Sequence, residues 1–425
     1  MKKYILLITF IMLLSACLTV FGCGGESQNN TQKNADITNG ETLAEDANDD
    51  ETTPYSEVFD FEEQNGGIVI TGLKKSATQT DLIIPKKIGG KTVTAIADGA
   101  FRANTALKSL SVPNTVQQMG YGILSECKNL AELTLPFTGE RQRTEKENSD
   151  RPFGYIFGEK EYSGGASTMQ FYHDNNADEV EMVYYYIPVA LKKVTITGIE
   201  NTHIPYGAFY NCTNIQTITV GKQVTSIGAF AFSGVVGKIL WNEPTITVIG
   251  EHAFEDFKGT SLTIPDSVTE IRSKGCADCV YVKNFVIPDS VQTVGDYAFS
   301  YCYDLKSITF GKNVKTLGAE AFYFCYGLTS VKLNDGLTLL DDGAFDSCSA
   351  LGSIEIPTSV TRINANAFKN CSKLKNAIFK GANGWRCYNS VTSGNAISET
   401  KLNNSATAAE YLTQTYRGYI WEKAS

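Results

Sequence analysis

Apolar residues recur with a fixed period of 23 residues between Val291 and Phe379, where one pattern is written four times. In each copy an Ala-Phe pair follows a short polar segment, and a cysteine lies three residues after the phenylalanine. Each copy ends on two apolar residues separated by one residue, as in Ile308 and Phe310, which places both on one face of a short strand. Because one such segment cannot bury its apolar side alone, the period predicts a stack of coils that share one core.

The same turn occurs ten times in the chain, twice with other residues in place of Ala-Phe. The ten pairs are Ala100-Phe101, Ile123-Leu124, Ala208-Phe209, Ala231-Phe232, Ala253-Phe254, Gly275-Cys276, Ala298-Phe299, Ala321-Phe322, Ala344-Phe345 and Ala367-Phe368. We therefore expect an α/β solenoid of about ten coils of 22–23 residues, rich in strand, with short helical or 3-10 turns. Stacking at the strand spacing predicts a structural ladder of rings and thiols, formed by Phe299, Phe322, Phe345 and Phe368 and by Cys302, Cys325, Cys348 and Cys371.

The strand ends carry a second signature, Ile-Pro-x-Ser-Val, in the segments Ile264 to Val268 and Ile356 to Val360. With the Ala-Phe-x-x-Cys turn, it resembles the repeat of the BspA-like class of bacterial leucine-rich repeat proteins. The resemblance covers residues 66–425. It implies a leucine-rich repeat array displayed on the bacterial cell surface, and because that family is functionally diverse it implies no particular ligand.

The chain begins like an exported protein. Lys2 and Lys3 precede an apolar run over residues 4–22, which predicts a signal peptide over the first 23 residues. Lipid attachment to a cysteine after a small residue anchors exported bacterial proteins, and we predict a lipobox ending at Cys23, with Cys17 as the alternative. The other interpretation is an uncleaved signal anchor that crosses the membrane.

Composition divides the remainder of the chain. Residues 24–64 contain the acidic excess behind the formal charge of −9 and little to bury, which predicts a disordered linker. The repeat domain is predicted over residues 65–425, and its charges balance, which argues against a nucleic-acid-binding surface. An insertion over residues 136–190 interrupts the period, and aromatic residues over 380–425 predict a cap on the last coil.

The insertion is predicted to pack on the stack. Its residues 153–157 form an aromatic cluster, and residues 168–172 and 180–187 alternate or run apolar around a polar turn, which predicts a hairpin. Three consecutive tyrosines at 184–186 cannot all face water at little cost, so we expect part of this segment to be buried.

No residues have the spacing of a catalytic or metal-binding motif. Cys276 and Cys279 form a C-x-x-C pair, but their register places them in the phenylalanine and cysteine slots of a coil, so we interpret them as buried free thiols. The three histidines are far apart, and neither a nucleophile elbow nor a phosphate loop occurs. We therefore expect a protein without enzymatic activity or cofactors.

Tyrosines around the cysteine turns and in the insertion are the candidate binding surface. They are Tyr297, Tyr301, Tyr303, Tyr323, Tyr326, Tyr184 and Tyr185. Clustered exposed tyrosines are typical of binding patches, although packing between coils would explain them equally well. The sequence thus favours a monomeric, lipid-anchored adhesion protein that binds an extracellular protein or glycan. The alternatives are a structural spacer of the cell envelope and a glycan-processing accessory protein.

Overall fold

The computed structural model describes residues 55–142, 152–173, 180–389 and 394–424. The chain divides by compactness into Met1–Ala47 and Asn48–Ser425, and every described residue belongs to the second unit. The predicted lipidation sites Cys23 and Cys17 lie outside the described residues. Within the described part, no helix has the length and hydropathy of a membrane span.

The regular elements of the described residues are mainly short strands. In chain order they are β1 (Phe59–Gln64), β2 (Gly67–Leu73), β3 (Asp81–Ile83), β4 (Lys87–Ile88), β5 (Lys91–Ile96), β6 (Ser109–Ser111), β7 (Gln118–Met119), β8 (Glu132–Leu135), β9 (Gly165–His173), β10 (Val180–Pro188), β11 (Lys193–Ile196), β12 (Thr202–Ile204), β13 (Thr217–Val220), β14 (Val224–Ile227), β15 (Lys238–Trp241), β16 (Val248–Ile249), β17 (Glu270–Ile271), β18 (Asn284–Val286), β19 (Thr293–Val294), β20 (Ser307–Thr309), β21 (Thr316–Leu317), β22 (Ser330–Lys332), β23 (Leu339–Leu340), β24 (Ser353–Ile356), β25 (Arg362–Ile363), β26 (Asn376–Phe379), β27 (Trp385–Tyr388), β28 (Asn395–Ala396) and β29 (Ile420–Lys423). The helices are 3-10 segments at Tyr55–Glu57 and Phe153–Ile156, α1 (Glu399–Leu402), α2 (Ser405–Glu410) and a π-helical segment at Tyr411–Thr415.

Two ladders of parallel strands form the walls of a β-solenoid of about 13 turns. One wall runs from β12 through β14, β16, β17, β19, β21 and β23 to β25. The other contains β3, β6, β8, β11, β13 and β15, followed by β18, β20 and β22 and then by β24 and β26. Phe285, Ile308 and Val331 lie opposite one another in successive coils, as the 23-residue period predicts.

The Ala-Phe segments are chains of β-turns, and they differ in this respect from the helical or 3-10 turns that the sequence suggests. Two residues in each turn have left-handed backbone angles, for example Tyr297 (φ 56°) and Tyr301 (φ 60°) on either side of Phe299. A left-handed residue cannot continue a right-handed helix, so the turn breaks after three residues. The freed amide groups bond to the next coil instead, as in Phe299 N–H to the Ala321 carbonyl at 2.8 Å.

The predicted ring ladder is present in the core. Phe299, Phe322, Phe345 and Phe368 are buried, and successive ring centroids lie 5.3, 5.1 and 5.5 Å apart with interplanar angles of 2°, 9° and 11°. A second run joins Phe209, Phe232 and Phe254. The two runs are separated at Cys276, where Phe257 and Phe285 meet the neighbouring rings edge-on.

The repeat domain begins earlier than predicted, and the linker boundary at residue 64 is corrected. β1 pairs with β2 in an antiparallel hairpin, and Phe59 is 1% exposed. Asn65 and Gly66 form the two-residue turn, both with positive φ, which is the backbone of a tight hairpin loop. The sequence contained this signal, since an Asn-Gly pair between apolar strands favours a hairpin.

The insertion extends the stack. Its 3-10 segment lies between two coils, because the Phe153 N–H donates to the Ala208 carbonyl at 3.1 Å and the Leu124 N–H donates to the Ile156 carbonyl at 2.8 Å. The Phe153 ring lies 4.8 Å from that of Phe209, so it continues the ladder. The predicted hairpin is confirmed as β9 and β10, and its turn lies outside the described residues.

The predicted C-terminal cap is confirmed over the described residues. β29 pairs antiparallel with β25 and β27, so the parallel ladder ends against an antiparallel strand. Trp385 and Trp421 are each 1% exposed, and both rings pack against Phe379. These indoles cover the apolar end of the stack, as a terminal repeat requires.

Candidate functional site

Six aromatic side chains lie on the outside of two consecutive coils, and ring contacts join five of them, all but Tyr297, into one cluster; we call all six the tyrosine surface. Its members are Tyr297, Tyr301, Tyr303, Tyr323, Phe324 and Tyr326. Tyr303 and Tyr326 are 39% and 46% exposed, and their rings stack at 5.7 Å with an interplanar angle of 12°. Tyr301 is half-buried and lies 5.5 Å from Tyr323 and 5.6 Å from Phe324.

The turn geometry directs these rings outward. Tyr297, Tyr301 and Phe324 have φ of 56°, 60° and 58°, whereas Gly343 and Asn370 occupy equivalent positions in later coils. Bulky residues adopt left-handed angles at a cost, and glycine or asparagine would satisfy the backbone better. The aromatic residues are therefore not explained by the needs of the turn.

A row of thiols lies beneath this surface, and each one caps the preceding coil. Cys325 donates to the Phe299 carbonyl at 3.1 Å, Cys348 to Phe322 at 3.3 Å and Cys371 to Phe345 at 3.1 Å. Cys302 donates likewise to the Cys276 carbonyl at 3.4 Å. Burial raises the pKa of Cys276, Cys279, Cys325 and Cys348 far above the ordinary value of a thiol. All nine cysteines of the described residues are free, which agrees with the sequence-based prediction of free thiols, and the row serves packing and hydrogen bonding.

Acidic residues adjoin the tyrosine surface. Burial, followed by the charge of Glu255, raises the pKa of Asp278 to about 7. Burial also raises the pKa of Tyr301 to about 12, with Tyr323 as the next cause, and it raises the pKa of Tyr303, with Asp278 as the next cause. The phenol groups of Tyr301 and Tyr303 are therefore neutral hydrogen-bond donors at physiological pH.

The structure separates the two predicted tyrosines of the insertion. Tyr184 is 56% exposed, whereas Tyr185 is 2% exposed. The ring of Tyr185 lies against Gly154, where a Cβ would come within 2.3 Å of the ring. Tyr185 is thus a packing residue, and its assignment to the binding surface is corrected. Adjacent strand residues face opposite sides of a hairpin, so only one of the pair could face water.

A buried amide fastens this hairpin to the coils. Gln170 is fully buried; its Oε1 accepts from the Gly154 N–H at 2.6 Å and its Nε2 donates to the Ala208 carbonyl at 3.0 Å. These two backbone groups lie where the insertion interrupts the hydrogen bonds between the turns of successive coils. The Gln170 side chain supplies hydrogen bonds at this point and so holds the insertion against the stack.

The two described imidazole side chains have local partners. His252 Nδ1 lies 2.9 Å from a Glu255 carboxylate oxygen, and its ring stacks on Phe230 at 4.4 Å. His203 Nδ1 lies 2.7 Å from the Ser226 hydroxyl. Over the described ranges, no three histidine, cysteine or acidic side chains are grouped so that they could hold a metal ion.

A sequence model of the family described as BspA type leucine rich repeat region (6 copies) matches residues 75–144, 202–275 and 269–385. These segments cover more than half of the chain. The chain belongs to this family. The stacked coils are therefore leucine-rich repeats, and the unmatched residues 145–201 cover most of the insertion.

Several solved leucine-rich repeat structures are similar to the chain. One, from Bacteroides ovatus, is 18% identical, with 76% of this chain and 87% of the other covered and a TM-score of 0.31. A leucine rich cell surface protein from Faecalibacterium prausnitzii is 20% identical over 76% and 93%, with a TM-score of 0.28. A leucine-rich repeat protein of T. pallidum is 17% identical over 70% and 90%, with a TM-score of 0.21. No curated protein sequence matches the chain.

Some features of this leucine-rich repeat array escaped the sequence analysis. Tyr281 is 48% exposed in the coil before the tyrosine surface. Asp278, three residues earlier in the chain, has a carboxyl pKa that burial raises to about 7. Both lie within or beside the C-x-x-C segment, in which the two cysteines form the only recognisable sequence pattern. Gln170 left no signal, since a polar residue in a strand is ordinarily assigned to the solvent side.

Proposed function

We propose that this protein is a cell-surface binding protein that contacts an extracellular protein or glycan through the tyrosine surface. The observation that carries the proposal is the stacked pair Tyr303 and Tyr326, exposed beside four further aromatic side chains that the turns do not require. Tyrosine-rich patches supply large contact areas at low cost in conformational entropy and are common hot spots.

The chemistry of the surface fits a polar partner of macromolecular size. Neutral phenol groups donate hydrogen bonds, while the rings offer flat apolar area. The two stacked rings lie on the outside of the coils, where an extended ligand can lie across successive repeats. Because the sequence contains no recognisable catalytic motif, we propose that the protein binds its ligand without converting it.

The location at the cell surface forms part of the proposal. Membership of the BspA-type family and the export signal in the sequence support it. We propose a lipid anchor at Cys23, with Cys17 as the alternative site, and residues 24–54 as the tether. A spacer without a ligand and a glycan-processing accessory protein remain the alternative functions.

The test is a binding array of extracellular-matrix proteins and complex glycans, probed with the unit Asn48–Ser425 and followed by titration of each hit. We expect the protein to bind at least one ligand on the array and to leave that ligand chemically unchanged. Tyr303→Ala with Tyr326→Ala should weaken this binding at least tenfold, while Ile83→Ala, at an exposed apolar residue of β3, should not. Tyr301 is a poorer choice for truncation because three neighbouring rings contact it.

The melting curve separates binding from packing. Both exposed tyrosines should be removable with little change in the unfolding midpoint, since they contribute few buried contacts. An array without hits would favour the spacer, and a cleaved glycan would favour the accessory role. If the double variant instead unfolds early, the tyrosines are packing residues and the proposed site is lost.

A further inference from the structure

Three glycines open a cleft on the turn side of the first coils. Gly99 and Gly122 have φ of 62° and 61° and occupy the left-handed position immediately before the Ala-Phe slot. In most later coils this position carries a side chain, for example Tyr297 or Glu320. Gly158, from the insertion, closes one end with φ of 77°. The space left by the missing side chains has a volume of about 200 Å³.

One aromatic ring and several charged groups line this cleft. Tyr121 is 39% exposed; its hydroxyl accepts from the Glu159 N–H at 2.9 Å, and its ring meets Tyr155 edge-on at 5.4 Å. These contacts hold the Tyr121 ring in one orientation. Asp98 also lines the cleft, and one of its carboxylate oxygens accepts from the Tyr121 N–H at 2.8 Å.

The charges in and around the cleft nearly balance. Glu126 pairs with Arg102 at 3.2 Å and with Lys160 at 2.9 Å, so both cations are already partly neutralised. Asp98 and Glu159 contribute negative charge at the lining. These carboxylates would repel an anionic ligand, and Arg102 and Lys160 would repel a cationic one. A neutral ligand that both donates and accepts hydrogen bonds avoids either conflict.

We propose that this cleft binds one neutral hexopyranose unit of a glycan, with the apolar face of the sugar on the Tyr121 ring and its hydroxyls bonded to Asp98, Arg102 and Lys160. A cavity of this size admits a single ring and is small for a larger ligand. Carboxylate, guanidinium and ammonium groups together provide the acceptors and donors that neighbouring hydroxyls need. This site is separate from the tyrosine surface and does not depend on it.

A filled-cleft variant tests the assignment. In Gly122→Asn the new side chain occupies the cleft without backbone strain, because Asn366 adopts φ of 61° at the same position of another coil. The matched control is Gly343→Asn, at the same turn position and with φ of 60°, where only the flexible Glu320 side chain must move. The purified protein is titrated with neutral hexoses, with neutral oligosaccharides and with sialylated and phosphorylated sugars, and binding is followed by calorimetry.

We expect saturable binding of at least one neutral sugar by the unaltered protein. Gly122→Asn and Tyr121→Ala should each weaken it at least tenfold, while Gly343→Asn should stay within twofold. Tyr121→Phe, which keeps the ring, should retain most of the affinity. The same titrations with Tyr303→Ala and Tyr326→Ala should be unchanged, which separates this site from the tyrosine surface.

Three results would overturn the proposal. The first is the absence of saturable binding by any neutral sugar. The second is undiminished binding by Gly122→Asn while the variant remains folded by its melting curve. The third is binding only of sialylated or phosphorylated sugars, since the ligand would then be recognised by its charge.

Discussion

At the scale of single residues, Asp278 makes stability depend on pH in an unusual direction. Its pKa is about 7 in the folded chain against an ordinary 3.8, because burial and the charges of Glu255 and Asp256 outweigh the attraction of Lys258. Between these two values the folded state holds a proton that the unfolded state has released. Stability therefore falls as the pH rises through this window.

We expect Asp278→Asn to raise the free energy of unfolding at pH 8 by on the order of 1–2 kcal/mol, after allowance for solvent screening of a half-buried group. At pH 4 the same change should have little effect, because the carboxyl is then protonated in the folded state. Asparagine tolerates the left-handed backbone of this position, where φ is 53°. Urea melts at the two pH values provide the measurement.

Asp289→Asn is the matched control with the opposite sign. Hydrogen bonds from the backbone and side chain of Lys312 hold the pKa of Asp289 below its usual range. That stabilisation is present at neutral pH and lost as the pH falls, so this variant should be less stable than the unaltered chain at pH 8. If both variants shift the melts in the same direction, the electrostatic account of Asp278 is wrong.

At the scale of elements, the hairpin of β9 and β10 is attached through Gln170. Gln170→Leu conserves volume but leaves the Gly154 N–H without its acceptor and removes one donor from the Ala208 carbonyl. We expect a loss of about 2–4 kcal/mol in the free energy of unfolding, together with faster amide exchange at Gly154. Ser167→Ala, on the exposed side of β9, should cost little. Equal stability of the two variants would contradict the bridging role.

At the scale of the whole molecule, the proposed anchor decides where the proposed binding surfaces would act. Cys23→Ser in the native bacterium should abolish fatty-acid labelling and release the protein from the membrane fraction, because a thiol is needed for lipid attachment. Cys17→Ser should leave both unchanged. Loss of labelling in the Cys17 variant alone would move the site to that residue, and loss of labelling in neither variant would contradict the lipoprotein proposal.

The repeat by itself determined the architecture of this protein. A period of 23 residues places equivalent side chains of neighbouring coils in contact, so Phe322 meets Phe299 and Phe345, and Cys325 meets the Phe299 carbonyl, without knowledge of distant contacts. The cap could be predicted for a related reason, since the last coil has no neighbour to cover its apolar end.

Only the tertiary structure decided what happens where the period fails. Tyr185 is buried because a turn distant in sequence presents Gly154 to it, and Gln170 is satisfied by the Gly154 N–H and the Ala208 carbonyl, which come from separate segments. The cleft arises where the insertion places Gly158 beside Gly122. Such contacts join residues at unrelated separations, and no periodic pattern encodes them. Exposure within the tyrosine surface likewise depends on left-handed turn angles that composition does not reveal.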